Sequence, residues 1–343
     1  ASGGKQNGGT LMKASKILLL VSACLCAAGV LIAGAGFALG GFDYHRLTTR
    51  KEGVDKTQSY SLEGVTEIRI DVRDQPVRLE HSPDGDFHVF YREEEGDRYT
   101  LEAEAGRISI THRGRSGFDS LFRGLFYNFY TGSREVTVQL PSDYAARLEV
   151  GTTNAAVKAA DYPNLSQADF HTSNAPVTLS RIGCTALEVS TTNAGMELTD
   201  IQAASAHIST TNSRLTLQNL QITGELNART TNGSVTLEAA DCGRAVLETS
   251  NGEVLLTNVK AGESLSARSS NAPIRLNTLE SPVTTLKTTN GDVQGTVAGD
   301  PRTFYVRGRT SNGSNNLSES GDPSLPNRLE VTTSNADIKV NFI

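Results

Sequence analysis

Three carboxylates, Glu149, Asp169 and Glu188, follow one another at intervals of 20 and 19 residues. Carboxylates stacked in a column at that spacing would attract calcium. Farther along, Arg229, Arg268, Lys287 and Arg309 each stand three residues before an asparagine, with Glu248 in the equivalent place between the first two. A row of cations would grip the phosphates or carboxylates of an anionic polymer. The plainer reading of both sets is a solvated surface, on which Arg and Lys also block unwanted strand pairing. The six histidines offer no metal-ligand spacing: His45, His81, His88 and His112 are scattered upstream, while His171 and His207 fall at different offsets. No serine-nucleophile, paired-cysteine or phosphate-loop motif is present. The expectation is therefore no catalytic residue, no cofactor and no metal.

What positions these residues is a phrase that returns ten times, as in "TTNAAVKA" at 152, "TTNGSVTL" at 230 and "TSNADIKV" at 333. Its asparagines are Asn154, Asn174, Asn193, Asn212, Asn232, Asn251, Asn271, Asn290, Asn312 and Asn335, spaced by 20, 19, 19, 20, 19, 20, 19, 22 and 23 residues. A period this regular marks a stacked repeat. Apolar residues stand six and four before the asparagine (Leu187 and Val189 before Asn193), three and five after it (Met196 and Leu198), and eight after it (Ile201). Polar residues fill the places between, so each copy reads as short alternating strands with one buried and one wet face. The predicted fold is all-β: a single-stranded, right-handed parallel β-helix with coils of about 19–20 residues. Consecutive copies are expected to stack in sequence order. Their asparagines should occupy left-handed corners, which Asn tolerates. Their amides should bond one coil to the next as a ladder at about 4.8 Å.

The pattern persists upstream in weaker form. In "IRIDVRDQPVRL", Ile68, Ile70, Val72, Val77 and Leu79 reproduce the inward places and Asp74 takes that of the asparagine. Residues 65–145 are read as irregular first coils or a cap with an insertion at 113–134, and 146–343 as the regular helix of ten coils. The chain ends on Ile338, Val340 and Phe342 with no visible capping segment. That edge calls for cover by a partner or a neighbouring loop.

The 343 residues contain no Trp and carry a net charge of −6, which suits one elongated domain and no nucleic-acid partner. Residues 17–42 are 26 uncharged residues, enough to cross a bilayer as one helix. Lys13 and Lys16 before them favour a cytoplasmic N-terminus and an external solenoid, against Arg46, Arg50, Lys51 and Lys56 on the other flank. "VSAC" at 21 admits lipidation, and "AGA" or "GFA" near 33–38 admits cleavage. The apolar run continues well past Cys24, which favours an uncleaved anchor. The segments are then a leader or upstream read-through at 1–11, an anchor at 12–42 and a juxtamembrane linker at 43–64.

Cys184 and Cys242 share one offset, ten residues after Asn174 and Asn232. Three coils, about 14 Å, separate them, too far for a disulfide. In "FDSLFRGLFYNFY", Phe118, Leu121, Phe122, Leu125, Phe126, Phe129 and Tyr130 follow spacings of 3, 1, 3, 1, 3 and 1, the stripe of a helix. Such a helix would lid the solenoid or dock on a membrane surface or a partner.

The repeated phrase, the strand-rich prelude and the anchor ending "GFALGGFDY" resemble the DUF4097 group of bacterial "putative adhesins", from Met12 to Ile343. The resemblance implies a right-handed β-helix on the cell envelope, typically of a Gram-positive bacterium, and in some relatives envelope-stress regulation in place of adhesion. The expected function is a single-pass, membrane-anchored, extracytoplasmic scaffold that binds anionic wall polymer or an envelope protein. The alternatives are a regulatory partner of a membrane signalling system and, less in keeping with the residues, a polysaccharide-active enzyme.

Overall fold

The computed structural model describes Gly29 and residues 53–93, 98–113 and 135–343. Apart from Gly29, the anchor lies outside the described residues, as does the aromatic segment 118–130, and no helix among those described is long and apolar enough to cross a membrane. Gly53–Ile343 forms one compact unit, a parallel β-solenoid.

One coil shows why the sequence folds this way. Along Val177–Ser190, the residues Val177, Leu179, Ile182, Leu187 and Val189 are each at most 2% exposed. They pair in parallel register with Met196, Leu198, Ile201, Ala206 and Ile208 of the next coil. Like therefore stacks on like, and each apolar column becomes a continuous core. Burial contributes about 1.5–3 kcal/mol for each large apolar side chain. The Thr or Ser two residues before the asparagine is buried too. Thr249 Oγ1 donates to the Gly233 carbonyl at 2.9 Å and accepts from Gly252 N at 3.1 Å, so one hydroxyl closes its own turn and ties it to the preceding coil.

The corner residue is not the asparagine. Positive φ falls seven residues later, at Asp161, Arg181, Asp200, Asn219, Ala239, Asn258 and Thr278, with values of 52–66°. The expected left-handed asparagine is thus corrected. Thr192 N and Asn193 N both donate to the Ser173 carbonyl, at 3.2 and 2.9 Å, so the asparagine turn is set by bonds to the neighbouring coil at ordinary backbone angles. The left-handed residue instead pivots the strand between its first and second sides.

Sequence order and stacking order part at both ends. Glu67–Asp71 and Val77–His81 form a regular coil on which Arg147–Gly151 and Val157–His171 stack. Arg107–Arg113 and Val136–Leu140, later in sequence, lie on its other side. Antiparallel strands then close that end: Arg98–Glu104 on Arg107–Arg113, and Phe87–Glu93 on Val136–Leu140, with Val54–Tyr60 outermost. At the far end Phe304–Arg309 is outermost. Asn327–Thr332 slips between it and Val283–Lys287, while Ile338–Phe342 pairs with Val293–Val297. The terminal edge is covered from within the chain. Asn316 Oδ1 accepts from Val340 N at 3.0 Å and its Nδ2 donates to the Val340 carbonyl at 2.9 Å, in the manner of a strand's backbone. Ser320 exchanges two backbone bonds with Val306.

Candidate functional site

The asparagine side chains form an unbroken run of amide bonds. Each Nδ2 donates to the Oδ1 of the coil before it, from Asn174 to Asn154 at 2.6 Å through Asn290 to Asn271 at 2.9 Å. Asn154 Nδ2 in turn donates to Asp74 Oδ1 at 2.6 Å. All donors point the same way, so the first member needs only to accept, and an ionised carboxylate does so. The order of the last two members corrects the sequence reading: Asn335 bonds to Asn290 at 2.8 Å, and Asn312 bonds to Asn335 at 2.7 Å. The insertion of the final strands between two earlier coils imposes that order.

The charged columns lie on the face formed by the strand preceding each asparagine turn. Glu149, Asp169 and Glu188 occupy successive rungs. Arginines take up the first two. Arg147 Nη2 lies 2.8 Å from Asp169 and 3.4 Å from Glu149, and Arg69 Nε lies 3.4 Å from Glu149. Arg107 holds Glu67 on the same face at 2.6 Å. Among the described residues no group of three or more His, Cys, Asp or Glu is placed to hold a metal ion. The column is an ion-paired surface with Glu188 left exposed at its end. Arg147 belongs to the neighbouring column, whereas Arg69 stands in the acidic column itself, one rung before Glu149.

The basic row is broken differently from its reading in sequence. Arg229 pairs with Glu248 at 3.3 Å. Arg268 and Lys287 stand on adjacent rungs, exposed and without an ion-pair partner among the described residues. Arg309 is two rungs beyond Lys287, with Thr332 between, again because the final strands are inserted there. Arg307 joins Arg309 on the outermost strand. The midsection has small outward residues, Ala186, Ser190, Ser205 and Ser209, and a shallow groove of about 350 Å³ with Glu188, His207 and Asn227 on its walls.

The thiols are as far apart as their spacing requires: Cys184, Ala203, Ile222 and Cys242 share one column, and both cysteines are free. Burial pushes the Cys184 thiol up to about 12 and that of Cys242 up to about 11, the opposite of what a reactive thiolate needs.

With the ten-fold coil and its amide run in place, the Toastrack DUF4097 family profile matches residues 65–241 and 223–341. The chain belongs to the Toastrack DUF4097 family. No curated protein matches it. Among solved structures, this Toastrack chain is similar to a "putative adhesin" from Bacteroides fragilis, with 13% identity over 72% of this chain and 97% of the other and a TM-score of 0.38. A "putative cell adhesion protein" from Clostridium sporogenes has 9% identity over 85% and 100%, with a TM-score of 0.22. A "putative lipid binding protein" from Parabacteroides distasonis has 13% identity over 85% and 98%, with a TM-score of 0.38. At these identities none of the three assigns chemistry to the Toastrack chain.

Proposed function

We propose that the chain is a single-pass, membrane-anchored scaffold of the bacterial cell envelope, wound right-handed. Its solenoid stands outside the membrane and binds anionic wall polymer without catalysis. The observation that carries this reading is the pair Arg268 and Lys287, exposed on adjacent rungs and free of ion-pair partners among the described residues. Their charges are spaced at about 4.8 Å along the solenoid axis, so a polyanion running along that axis meets both at once. Exposed pairing of this kind is screened within about 8 Å at physiological ionic strength. Right-handed winding agrees with the preference of parallel crossovers, and the anchor with the length of the uncharged run at 17–42.

The test is retention on teichoic-acid-rich walls against walls stripped of the polymer. Replacing Arg268, Lys287 and Arg309 by Gln should weaken retention and flatten its salt dependence. Folding should be unaffected, because the three side chains are exposed. A folded triple variant that binds walls as well as the parent would overturn the reading.

A further inference from the structure

The charged face is polarised along its length. Acids that are exposed and have no ion-pair partner among the described residues, Asp71 and Glu188, lie toward the first coil, where Asp169, paired with Arg147, also sits. Cations that are exposed and have no ion-pair partner among the described residues, Arg268, Lys287 and Arg309, lie toward the last. Counting strands along this face from Glu67–Asp71 as the first, the pairings place Asp71, Asp169 and Glu188 on rungs one, three and four. Arg268, Lys287 and Arg309 fall on rungs eight, nine and eleven. One midpoint serves all three pairs, since rungs one and eleven, three and nine, and four and eight are each symmetric about rung six.

We propose that two copies of the chain associate through this face with their solenoid axes antiparallel, about a two-fold axis running along the strands at rung six. A two-fold contact is self-complementary by construction. The antiparallel arrangement sets Arg309 of one copy over Asp71 of the other, and puts Arg268 and Lys287 on the rungs of Glu188 and Asp169, two residues along the strand from each, with Asp169 already held by Arg147. Aligning the axes in parallel would set acid on acid and base on base. The small residues Ala186, Ser190, Ser205 and Ser209 near the centre permit the close approach that packed sheets require, about 10 Å. Eleven rungs at about 4.8 Å and five residues at about 3.3 Å give a face of roughly 800 Å², close to the approximately 800 Å² per partner of a standard interface.

The experiment is sedimentation of the full chain in mild detergent, free of wall polymer, at low and high salt. The expected result is a dimer that weakens with salt. Glu188→Lys and Arg268→Glu should each raise the dissociation constant about tenfold or more, since like charges then face each other. The double variant carrying both should recover the dimer. Within one chain these two positions are four rungs, about 19 Å, apart, so recovery reports contact between copies. Glu225, on the central rung, faces its own counterpart, and Glu225→Gln should tighten the dimer. A monomer at all concentrations, or association indifferent to the single reversals, overturns the proposal. Wall binding draws on the same cations but is not measured here, so either reading can fail alone.

Discussion

Asn312 Nδ2 donates to Asn335 Oδ1 at 2.7 Å, although Asn335 comes 23 residues later and lies nearer the body of the solenoid. The last segment of the chain is therefore an internal rung, with parallel partners on both sides: Val283–Lys287 on one and Phe304–Arg309 on the other.

Deleting residues 327–343 should accordingly disorder more than it removes. Phe304–Arg309 would lose its only parallel partner among the described residues, and the exchange protection of its amides should collapse to that of an open loop. Hydrogen exchange followed by mass spectrometry reads this directly. Retained protection at Phe304–Arg309 would mean that the strand is held by something other than the inserted segment.

Replacing Asn212 by Leu should lower stability by roughly 1–3 kcal/mol, since two amide bonds go. Its Nδ2 bonds to Asn193 and its Oδ1 accepts from Asn232, both at 2.7 Å. The exposed position favours the lower half of that range, because water can satisfy the orphaned neighbours. An unchanged melting temperature would show that the amide run contributes nothing to stability.

Two backbone substitutions should act in opposite directions. A Cβ on Gly252 would lie 1.7 Å from the Gly233 carbonyl oxygen, so Gly252→Ala forces neighbouring coils apart at a cost of roughly 1–3 kcal/mol. Ala239 has an exposed side chain and a φ of 53°. For Ala239→Gly, relief of about 1–2 kcal/mol of left-handed strain outweighs about 0.5–1 kcal/mol of added chain entropy. Chemical denaturation should place the first variant below the parent and the second at or above it; the reverse order would refute the assignment of the corner.

Stability should fall in alkali. An unfolded cysteine ionises near about 8.5, whereas burial holds Cys184 up to about 12 and Cys242 up to about 11. Above the unfolded value the unfolded chain binds fewer protons than the folded one, so raising the pH favours unfolding. The contribution is whole below about pH 8.5 and is lost as pH rises toward 11–12. Tyr144 and Tyr162, also raised by burial, act with the same sign at higher pH. Cys184→Ala should show a shallower decline of melting temperature between about pH 9 and 11 than the parent. Equal slopes would remove the thiol from the account. Intact-mass analysis of the parent after alkylation without reduction should find no bridge between Cys184 and Cys242.

The coil, its inward columns and the stacking of like on like were legible in the chain because a strand's period of two and a repeat near 20 residues leave little choice of which side chains face in. Asp74 as the start of the amide run was legible for the same reason: Ile68, Ile70, Val77 and Leu79 flank it as their counterparts flank each asparagine. The left-handed corner left only a faint mark, the Asp and Asn of Asp161, Asp200, Asn219 and Asn258, because Arg181, Ala239 and Thr278 share the place. Stacking order at the two ends was beyond the sequence. Parallel pairing is satisfied equally by any coil of matching register, and which coil becomes the neighbour is decided by where a long connection lets the chain return. The same holds for the charged face. Spacing sets Arg268 beside Lys287, but only the inserted strands move Arg309 a rung away, and only the packed sheet carries Arg147 across to Asp169.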